Sequence, residues 1–346
     1  MPLNLHPRDV LLEAQALAGP AFLPVCDHYS GTPERMQKSL QLQASMTAEF
    51  GVCVFDVTLD CEDGAPVGNE AAHARLVAQL LGQTSALSRV AVRFHAVDHP
   101  AFAGDVAAIV GSQAARLVHC MVPKVESVLD VDFALAAIDA ATPAGCPPLP
   151  VHALIESPLA VSRAFAIAAH PRVQSLSFGL MDFVSSFGGA IPASAMGSCG
   201  QFSHPQVVRA KLEIAAACHA HGKVPSHGVV REFTNPEALK VAARRASDEL
   251  GYTRMWSIHP AQIRPIIEAF APLPEALETA TKIIASAARI HWAPLTFDHQ
   301  LHDRASFRYY WQLLERAHLC GQRLPEAAQR WFTGDGLAPH FLDNAR

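Results

Sequence analysis

The sequence has few charged residues and no long run of them. Charged side chains make up 17% of the 346 residues, the net charge is −5 with histidine neutral, and no stretch is rich in lysine and arginine. That balance argues against a nucleic-acid partner. Hydrophobic residues make up 50% of the chain, which excludes a largely disordered protein and supplies material for a large core.

Other absences narrow the class of protein further. No apolar run reaches the ~18 residues that a membrane span needs, and the stretch MPLNLHPRDVLLEAQALAG lacks the basic-then-apolar order of a signal peptide. The eight cysteines form no CxxC pair and no zinc-binding spacing, so we expect them to be reduced and mostly buried. We therefore expect a soluble, cytoplasmic protein with neither a membrane nor a nucleic-acid partner.

Short apolar runs rich in β-branched residues recur along the chain, with helical segments between them. We predict strands at residues 21–25, 52–59, 90–94, 117–122, 151–155, 175–180, 223–226 and 254–258. These runs are apolar at nearly every position, as expected of parallel strands that are buried on both faces. Proline and glycine bound the helical segments, as in PERMQKSLQLQASMTAEFG.

Eight strands, each followed by a helix, predict an α/β protein with a TIM (β/α)8 barrel. A doubly wound open sheet is the alternative, but no glycine-rich phosphate-binding fingerprint follows the first strand. The chain is long enough for a barrel of about 200–250 residues with an appendage. We predict a barrel domain over residues 1–290 and a C-terminal helical segment over residues 291–346.

Acids gather at the carboxyl ends of the predicted strands, where TIM barrels carry their reactive residues. The second strand runs into LDCEDGAP, with Asp60, Glu62 and Asp63, while the fifth ends at Glu156 and the sixth at Asp182. Carboxylates on neighbouring strands cannot all stay ionised without compensation, and a divalent cation such as Mg²⁺ supplies it. We predict Glu156 and Asp182 as ligands of one metal ion; the alternative is that these acids only complement helix N-termini.

An arginine lies within the third predicted strand. Arg93, in VRFH, is costly in an apolar run unless it is paired. One interpretation is a bidentate grip on a substrate carboxylate or enolate. The other is an internal salt bridge to Glu62 or Asp63, and the two interpretations are compatible.

Other basic residues follow the fourth and eighth strands. Lys124, after Pro123, suits a salt bridge to a neighbouring acid better than Schiff-base chemistry, and His259 either contacts substrate or makes a structural hydrogen bond. We predict Pro123, Lys124 and His259, with Arg93, as substrate contacts. Four further histidines form no ligand spacing and are expected mostly at the surface or in loops: His28, His95, His204 and His227.

These segments carry a family resemblance. The motifs LDCEDGAP, VRFH, MVPKVES, LIESPLAV, FGLMDF and SIHPAQI occur in the order seen in the citrate-lyase β-subunit-like lyases. This is the HpcH/HpaI aldolase family, which includes malyl-CoA and citramalyl-CoA lyases, and the resemblance covers most of residues 21–290. It implies a barrel of the phosphoenolpyruvate/pyruvate type that binds Mg²⁺, with Mn²⁺ as an alternative, and makes or breaks a carbon–carbon bond.

The resemblance also implies roles for individual residues. Glu156 and Asp182 match the metal ligands, and Arg93 matches the clamp on the substrate carboxylate and carbonyl. Glu62 and Asp63 match the acidic pair after the second strand, one of which orders either the water shell of the metal or the arginine. All four acids and Arg93 are therefore expected to take part in binding or catalysis.

The segment LHDRASFRYYWQLLERA resembles the C-terminal segment that folds over a neighbouring subunit's site in acyl-CoA lyases. Asp303 matches the acid that this segment supplies; the alternative is a helix N-cap. A homotrimer or hexamer is implied as well. The sequence departs from the family at His95, where asparagine is usual, and at VPSHGVV, where an aspartate is common.

The departures affect the substrate and not the metal pair, so three hypotheses remain. The first is a Mg²⁺-dependent lyase that cleaves or forms a 3-hydroxy-acyl thioester, with glyoxylate, pyruvate or oxaloacetate and an acyl-CoA as products. The second is a metal-dependent aldolase of 2-oxo acids that does not use CoA. The third is a non-enzymatic member that binds a metabolite, against which the charged residues at the strand ends argue.

Overall fold

The structure, a computed structural model, describes residues 6–12 and 23–332. Within these ranges eight parallel strands form a closed barrel in chain order. The strands β1 to β8 are Cys26–Ser30, Phe55–Asp60, Val90–Arg93, Leu117–Val122, Val151–Ile155, Val173–Phe178, Val224–His227 and Arg254–Ser257. β8 closes the barrel on β1, with Met255 opposite Cys26. The predicted TIM barrel is confirmed.

Helices connect the strands and cover the outside of the barrel. In the described ranges the helices that precede or follow strands of the barrel, α1 to α11, are Pro7–Leu11, Pro33–Phe50, Glu70–Gly82, Phe102–Gln113, Val128–Ala141, Pro158–Ser162, Ala164–Ala169, Leu180–Ser185, Pro205–Ala220, Pro236–Asp248 and Pro260–Phe270. Helix α2 ends at Gly51, whose φ of 71° is the left-handed conformation that glycine tolerates best. The barrel strands and helices α2 to α11 share one hydrophobic core.

Seven of the eight predicted strands overlap the observed ones, and the first prediction is wrong. β1 is Cys26–Ser30 and not residues 21–25, of which 21 and 22 lie outside the described residues. The segment CDHYS was missed because it is polar. Its Asp27 is nevertheless fully buried, since Thr58 and Arg254 bind the carboxylate inside the barrel.

Arg254 is the centre of a buried ion network inside the barrel. Its Nη2 lies 2.7 Å from Oδ2 of Asp56 and 2.9 Å from Oδ2 of Asp27, and Nη1 donates to the carbonyl of Pro24. Arg89 adds a second cation, with Nε 2.6 Å from Oδ1 of Asp56. Burial raises the pKa of Asp56, but the charges of Arg89 and Arg254 outweigh burial, so the net shift of that pKa is downward.

The C-terminal elements form a second hydrophobic cluster. Among the described residues they are helices α12 to α14, at Pro274–Arg289, Arg304–Leu319 and Glu326–Gln329, and a hairpin of β9, Leu295–Phe297, and β10, Gln300–His302. α1 packs here through an ion pair of 2.8 Å between Arg8 and Glu315. The domain boundary at residue 290 stays a prediction, and residues 333–346 of the predicted segment lie outside the described residues. None of the helices in the described part of the chain is long and apolar enough to cross a bilayer.

The buried network predicts a large difference between two arginines with similar ion-pair distances. Arg254→Met leaves Asp27 and Asp56 without their shared cation, so we expect it to lower the free energy of unfolding by about 3–5 kcal/mol. Arg264 makes a 2.7 Å ion pair with Glu49, but both side chains are about half exposed. We therefore expect Arg264→Met to cost only about 0–1 kcal/mol. Urea unfolding of both variants measures the difference, and equal costs would contradict the proposed importance of burial.

Candidate active site at the barrel mouth

Arg93 is held at the carboxyl end of β3 by two acids. Asp60 ends β2 directly opposite it in the strand register. Nε and Nη2 of Arg93 donate to the two carboxylate oxygens of Asp60 at 2.7 and 2.5 Å, and Nη1 lies 2.9 Å from Glu62. Backbone N–H groups of Glu62 and Gly64 also donate to Asp60, which fixes the loop after β2. Of the two predicted internal partners of Arg93, Glu62 forms the salt bridge, and Asp60 is a further partner that the prediction did not include.

The ion pair keeps both partners charged. Burial raises the pKa of Asp60, but the charge and hydrogen bonds of Arg93 outweigh burial, so that pKa is lowered overall. Burial likewise lowers the pKa of Arg93, and the charges of Asp60 and Glu62 more than compensate. Arg93 is thus a permanent cation at the mouth of the barrel.

Lys124 extends this network from the end of β4. Its Nζ lies 2.7 Å from Glu62, and 3.9 Å from Asp63, which is more than half exposed. Its φ of 53° is left-handed, and its backbone N–H donates to Oε1 of Glu156 at 2.7 Å. Burial lowers the pKa of Lys124, but Glu62 raises it by more, so the ammonium form is favoured. One residue thus links the acids after β2 to the acid after β5.

Glu156 follows β5, and Gly179, after β6, allows it to lie there. Glu156 is buried, and the N–H of Gly179 donates to the carbonyl of Ile155. A Cβ placed on Gly179 would lie 2.5 Å from Cβ of Glu156 and would also collide with its carboxylate. Asp182 lies three residues further on, in the first turn of α8, at a partly exposed position.

The positive charge around Glu156 is too small to offset its burial and its negative neighbours. Burial raises its pKa to about 8, and the negative charges of Asp182 and Glu62 add to the effect. The N–H of Lys124 and the charge of Arg93 lower that pKa, but by less. Glu156 and Asp182 supply carboxylate oxygens from the ends of two neighbouring strands, and their negative charges repel each other. A hard divalent cation suits such a pair. Glu156 and Asp182 therefore fit Mg²⁺ as protein ligands.

Three other predicted residues take local positions. Pro123 is buried between β4 and Lys124. His259 is exposed and caps α11, with Nδ1 accepting from the N–H of Ala261 at 3.2 Å. Asp303 is exposed and caps α13. Within this chain, the predicted N-cap describes the contacts of Asp303, and the predicted structural hydrogen bond describes that of His259.

The histidine at the end of β3 has a partner that sequence reasoning missed. Nδ1 of His95 lies 2.6 Å from Oδ2 of Asp105, a buried residue in the first turn of α4, and the backbone N–H of His95 donates to the same oxygen at 3.1 Å. Asp105 is ten residues along the chain, and no motif links the two. The prediction that His28 and His227 are mostly at the surface or in loops is wrong for these two, because both are buried in strands.

A second set of metal-ligand side chains lies deeper in the barrel. Atoms of Asp27, His119 and His152 lie within 4.8 Å of one another. However, the two imidazole rings stack at 3.5 Å and are tilted by only 13°, so their lone pairs do not converge on one ion. Arg254 is already the cation beside Asp27, and burial lowers the pKa of both histidines and keeps them neutral. In this arrangement the set is a poorer cation site than the mouth.

The barrel and its mouth together define the class of protein. It is a TIM barrel with an acid-rich mouth at the carboxyl ends of its strands, the arrangement that metal-assisted enzymes of this fold use. The family model of HpcH/HpaI aldolase/citrate lyase matches residues 40–260. The chain belongs to this family, as the motifs after the strands predicted.

Individual relatives agree with this assignment. The L-malyl-CoA/β-methylmalyl-CoA lyase of Cereibacter sphaeroides is 32% identical over 66% of this chain and 76% of its own length. The crystal structure of a citrate lyase from Burkholderia xenovorans is 48% identical, with a TM-score of 0.80 over 95% of this chain and 99% of that chain. The structure of CitE from Mycobacterium tuberculosis with magnesium, acetoacetate and coenzyme A is 23% identical, with a TM-score of 0.64 over 86% of this chain and 99% of that chain, and shares the fold.

The close approach of Gly179 to Glu156 predicts a specific effect on metal binding. Gly179→Ala displaces the Glu156 carboxylate, so we expect Mg²⁺ affinity to fall by about 10–100-fold, as when the support of a metal ligand is removed. Gly104 lies exposed in α4 with open space around its Cβ position. Gly104→Ala should leave Mg²⁺ affinity unchanged and stabilise the fold by about 0.5–1 kcal/mol. Calorimetric titration with Mg²⁺ compares the two, and equal affinities would show that Glu156 does not need this space.

Proposed function

We propose that this chain is a Mg²⁺-dependent carbon–carbon lyase that cleaves or forms a 3-hydroxy-acyl thioester. The products of cleavage are a 2-oxo acid, such as glyoxylate, pyruvate or oxaloacetate, and an acyl-CoA. Membership of the HpcH/HpaI family and the similarity to malyl-CoA lyases support this reaction class. The Mycobacterium tuberculosis neighbours with magnesium and oxaloacetate, or with magnesium and coenzyme A, are consistent with the same ligands.

The charge at the mouth is the observation that carries the proposal. Apart from Asp63, which is more than half exposed, the carboxylates that interact there among the described residues are those of Asp60, Glu62, Glu156 and Asp182. They face the cations Arg93 and Lys124, which leaves a formal charge of −2. One Mg²⁺ ion would balance that charge, and its positive charge would oppose the burial and the negative neighbours that raise the pKa of Glu156.

Each residue has a separate task in the proposed site. Glu156 and Asp182 hold the ion, which when bound supplies a Lewis acid that polarises a carbonyl oxygen. Each terminal nitrogen of Arg93 keeps a second N–H beyond its contact with an acid, and these donors bind the substrate carboxylate or the enolate oxygen. Lys124, which is nearly half exposed, adds positive charge where anionic substrate enters.

The remaining predicted site residues orient their neighbours or line the mouth. Glu62 and Asp63 orient Arg93, Lys124 and the water around the ion, and Pro123 and His259 line the mouth after β4 and β8. Asp303 reaches a neighbouring subunit's site in a homotrimer or hexamer, for which its exposed position in α13 leaves room. Light scattering after size-exclusion chromatography measures this oligomeric state.

The proposal predicts a Mg²⁺-dependent turnover that depends on Glu156. With malyl-CoA, β-methylmalyl-CoA or citramalyl-CoA, we expect release of a 2-oxo acid that is abolished by EDTA and restored by Mg²⁺. Glu156→Gln keeps the size of the side chain but removes its charge, so we expect kcat to fall by about 10²–10³-fold. Glu126→Gln is the matched control, because Glu126 bonds Ser157 outside the charged group. Trapping of the 2-oxo acid with phenylhydrazine measures each rate.

The products separate this function from its alternatives. A (3S)-malyl-CoA thioesterase of Cereibacter sphaeroides is 27% identical over 68% of this chain, and such an activity would yield malate and free CoA instead of glyoxylate and acetyl-CoA. Turnover of free 2-oxo-acid aldols without CoA would favour the second hypothesis from the sequence. Failure of Mg²⁺ to promote either turnover or binding of glyoxylate, pyruvate and oxaloacetate would overturn the lyase proposal.

A further inference from the structure

The pair of His95 and Asp105 has the geometry of an oriented imidazole base. Asp105 is 1% exposed, and one of its oxygens takes both the Nδ1 contact at 2.6 Å and the backbone N–H of His95 at 3.1 Å. The contact to Nδ1 orients the imidazole, and the contact to the N–H holds the backbone of the same residue in place. His99 stacks on one face of the ring, with a centroid distance of 4.3 Å and an interplanar angle of 13°.

The pairing decides which ring nitrogen is available. A carboxylate only accepts hydrogen bonds, so the proton of the neutral imidazole lies on Nδ1. The lone pair then lies on Nε2, for which no residue in 6–12 or 23–332 is a hydrogen-bond partner, and the side chain keeps 12% of its surface exposed. A histidine whose tautomer is set by a buried carboxylate is the arrangement used for general bases.

The position of His95 places this base at the mouth. Phe94 donates its N–H to the carbonyl of Met121 at 3.2 Å, which continues the strand pairing one residue beyond Arg93. His95 follows Arg93 by two residues, in the loop at the carboxyl end of β3. Asp105 lies at the N-terminal end of α4, the helix that follows β3, and so at the same end of the barrel. The neighbouring charges include Glu70, whose pKa is lowered mainly by backbone hydrogen bonds and to a smaller extent by His95 and His99.

We propose that His95 is a catalytic base of this chain and that Asp105 is its positioning residue. The inference rests on the proposed lyase function. In the cleavage direction Nε2 of His95 takes the proton of the substrate's 3-hydroxyl group. The oxygen lone pair forms the new carbonyl of the 2-oxo acid, the bond between C2 and C3 of the acyl chain breaks, and its electron pair becomes the thioester enolate. The proton then passes from the imidazolium to the enolate carbon, which yields the acyl thioester.

Kinetics of matched variants test this assignment. We expect His95→Ala to lower kcat on the best thioester substrate by about 10²–10⁴-fold, the usual contribution of a general base, with KM changed less than about threefold. Added imidazole should restore part of kcat to His95→Ala. His170→Ala removes a histidine that is also paired with an acid, Asp132 at 3.2 Å, but that precedes β6 and so lies at the opposite end of the barrel; it should keep kcat within about threefold. Asp105→Asn should lower kcat with little change in KM.

A folding control and a second variant keep the outcome clear. Thermal unfolding checks each protein, and His95→Gln replaces His95→Ala if the alanine variant does not fold. Wild-type turnover combined with wild-type rates in the His95 variants would overturn the base assignment and leave the lyase proposal standing. A loss of kcat in His95→Ala that imidazole does not restore would overturn the base assignment and give the histidine a structural role instead. Absence of turnover by the wild-type protein would overturn both proposals.

Discussion

The pairing of charges inside a closed barrel is the constraint on which the rest of the structure depends. An isolated charge in the interior costs several kcal/mol, and the barrel contains two guanidinium groups that each bridge two carboxylates. Arg254 bridges Asp27 and Asp56 among the strands, and Arg93 bridges Asp60 and Glu62 at the mouth. Because Asp56 and Asp60 lie four residues apart on β2, the two networks are separated by about 13 Å along the strand.

The two networks differ in how completely their charges are compensated. Arg89 and Arg254 match Asp27 and Asp56 one for one, so the lower network is closed and its role is structural. At the mouth, Glu156 makes no ion pair with the described residues; the backbone N–H of Lys124 donates to it at 2.7 Å. Uncompensated charge is thus confined to the end of the barrel where solvent and ligands enter. The electrostatic potential of the protein therefore acts most strongly on a cation and an anionic substrate that bind at this end of the barrel.

The sequence predicted the architecture better than the contents of the barrel. Apolar runs placed seven strands, because those runs face helices on one side and the core on the other. The same criterion missed β1, where Asp27 is tolerated only because residues from β2 and β8 bind it. Motifs placed Arg93, Glu156 and Asp182 at the mouth, since the ends of parallel strands meet there. They did not single out Asp60 as the main partner of Arg93, which depends on strand register, or Asp105 as the partner of His95, which depends on how α4 packs.

The fixed charges at the mouth favour a proton-transfer group on the loop after β3. Asp60 and Arg93 are bound to each other and stay charged, because their pairing favours the charged form of both. Glu156, the acid with the weakest compensation, loses its freedom to carry a proton once a cation is bound to it. A group that exchanges protons must therefore lie beside this charged set but outside it. His95 meets both conditions, since it follows Arg93 by two residues and its carboxylate partner comes from a helix and not from the mouth.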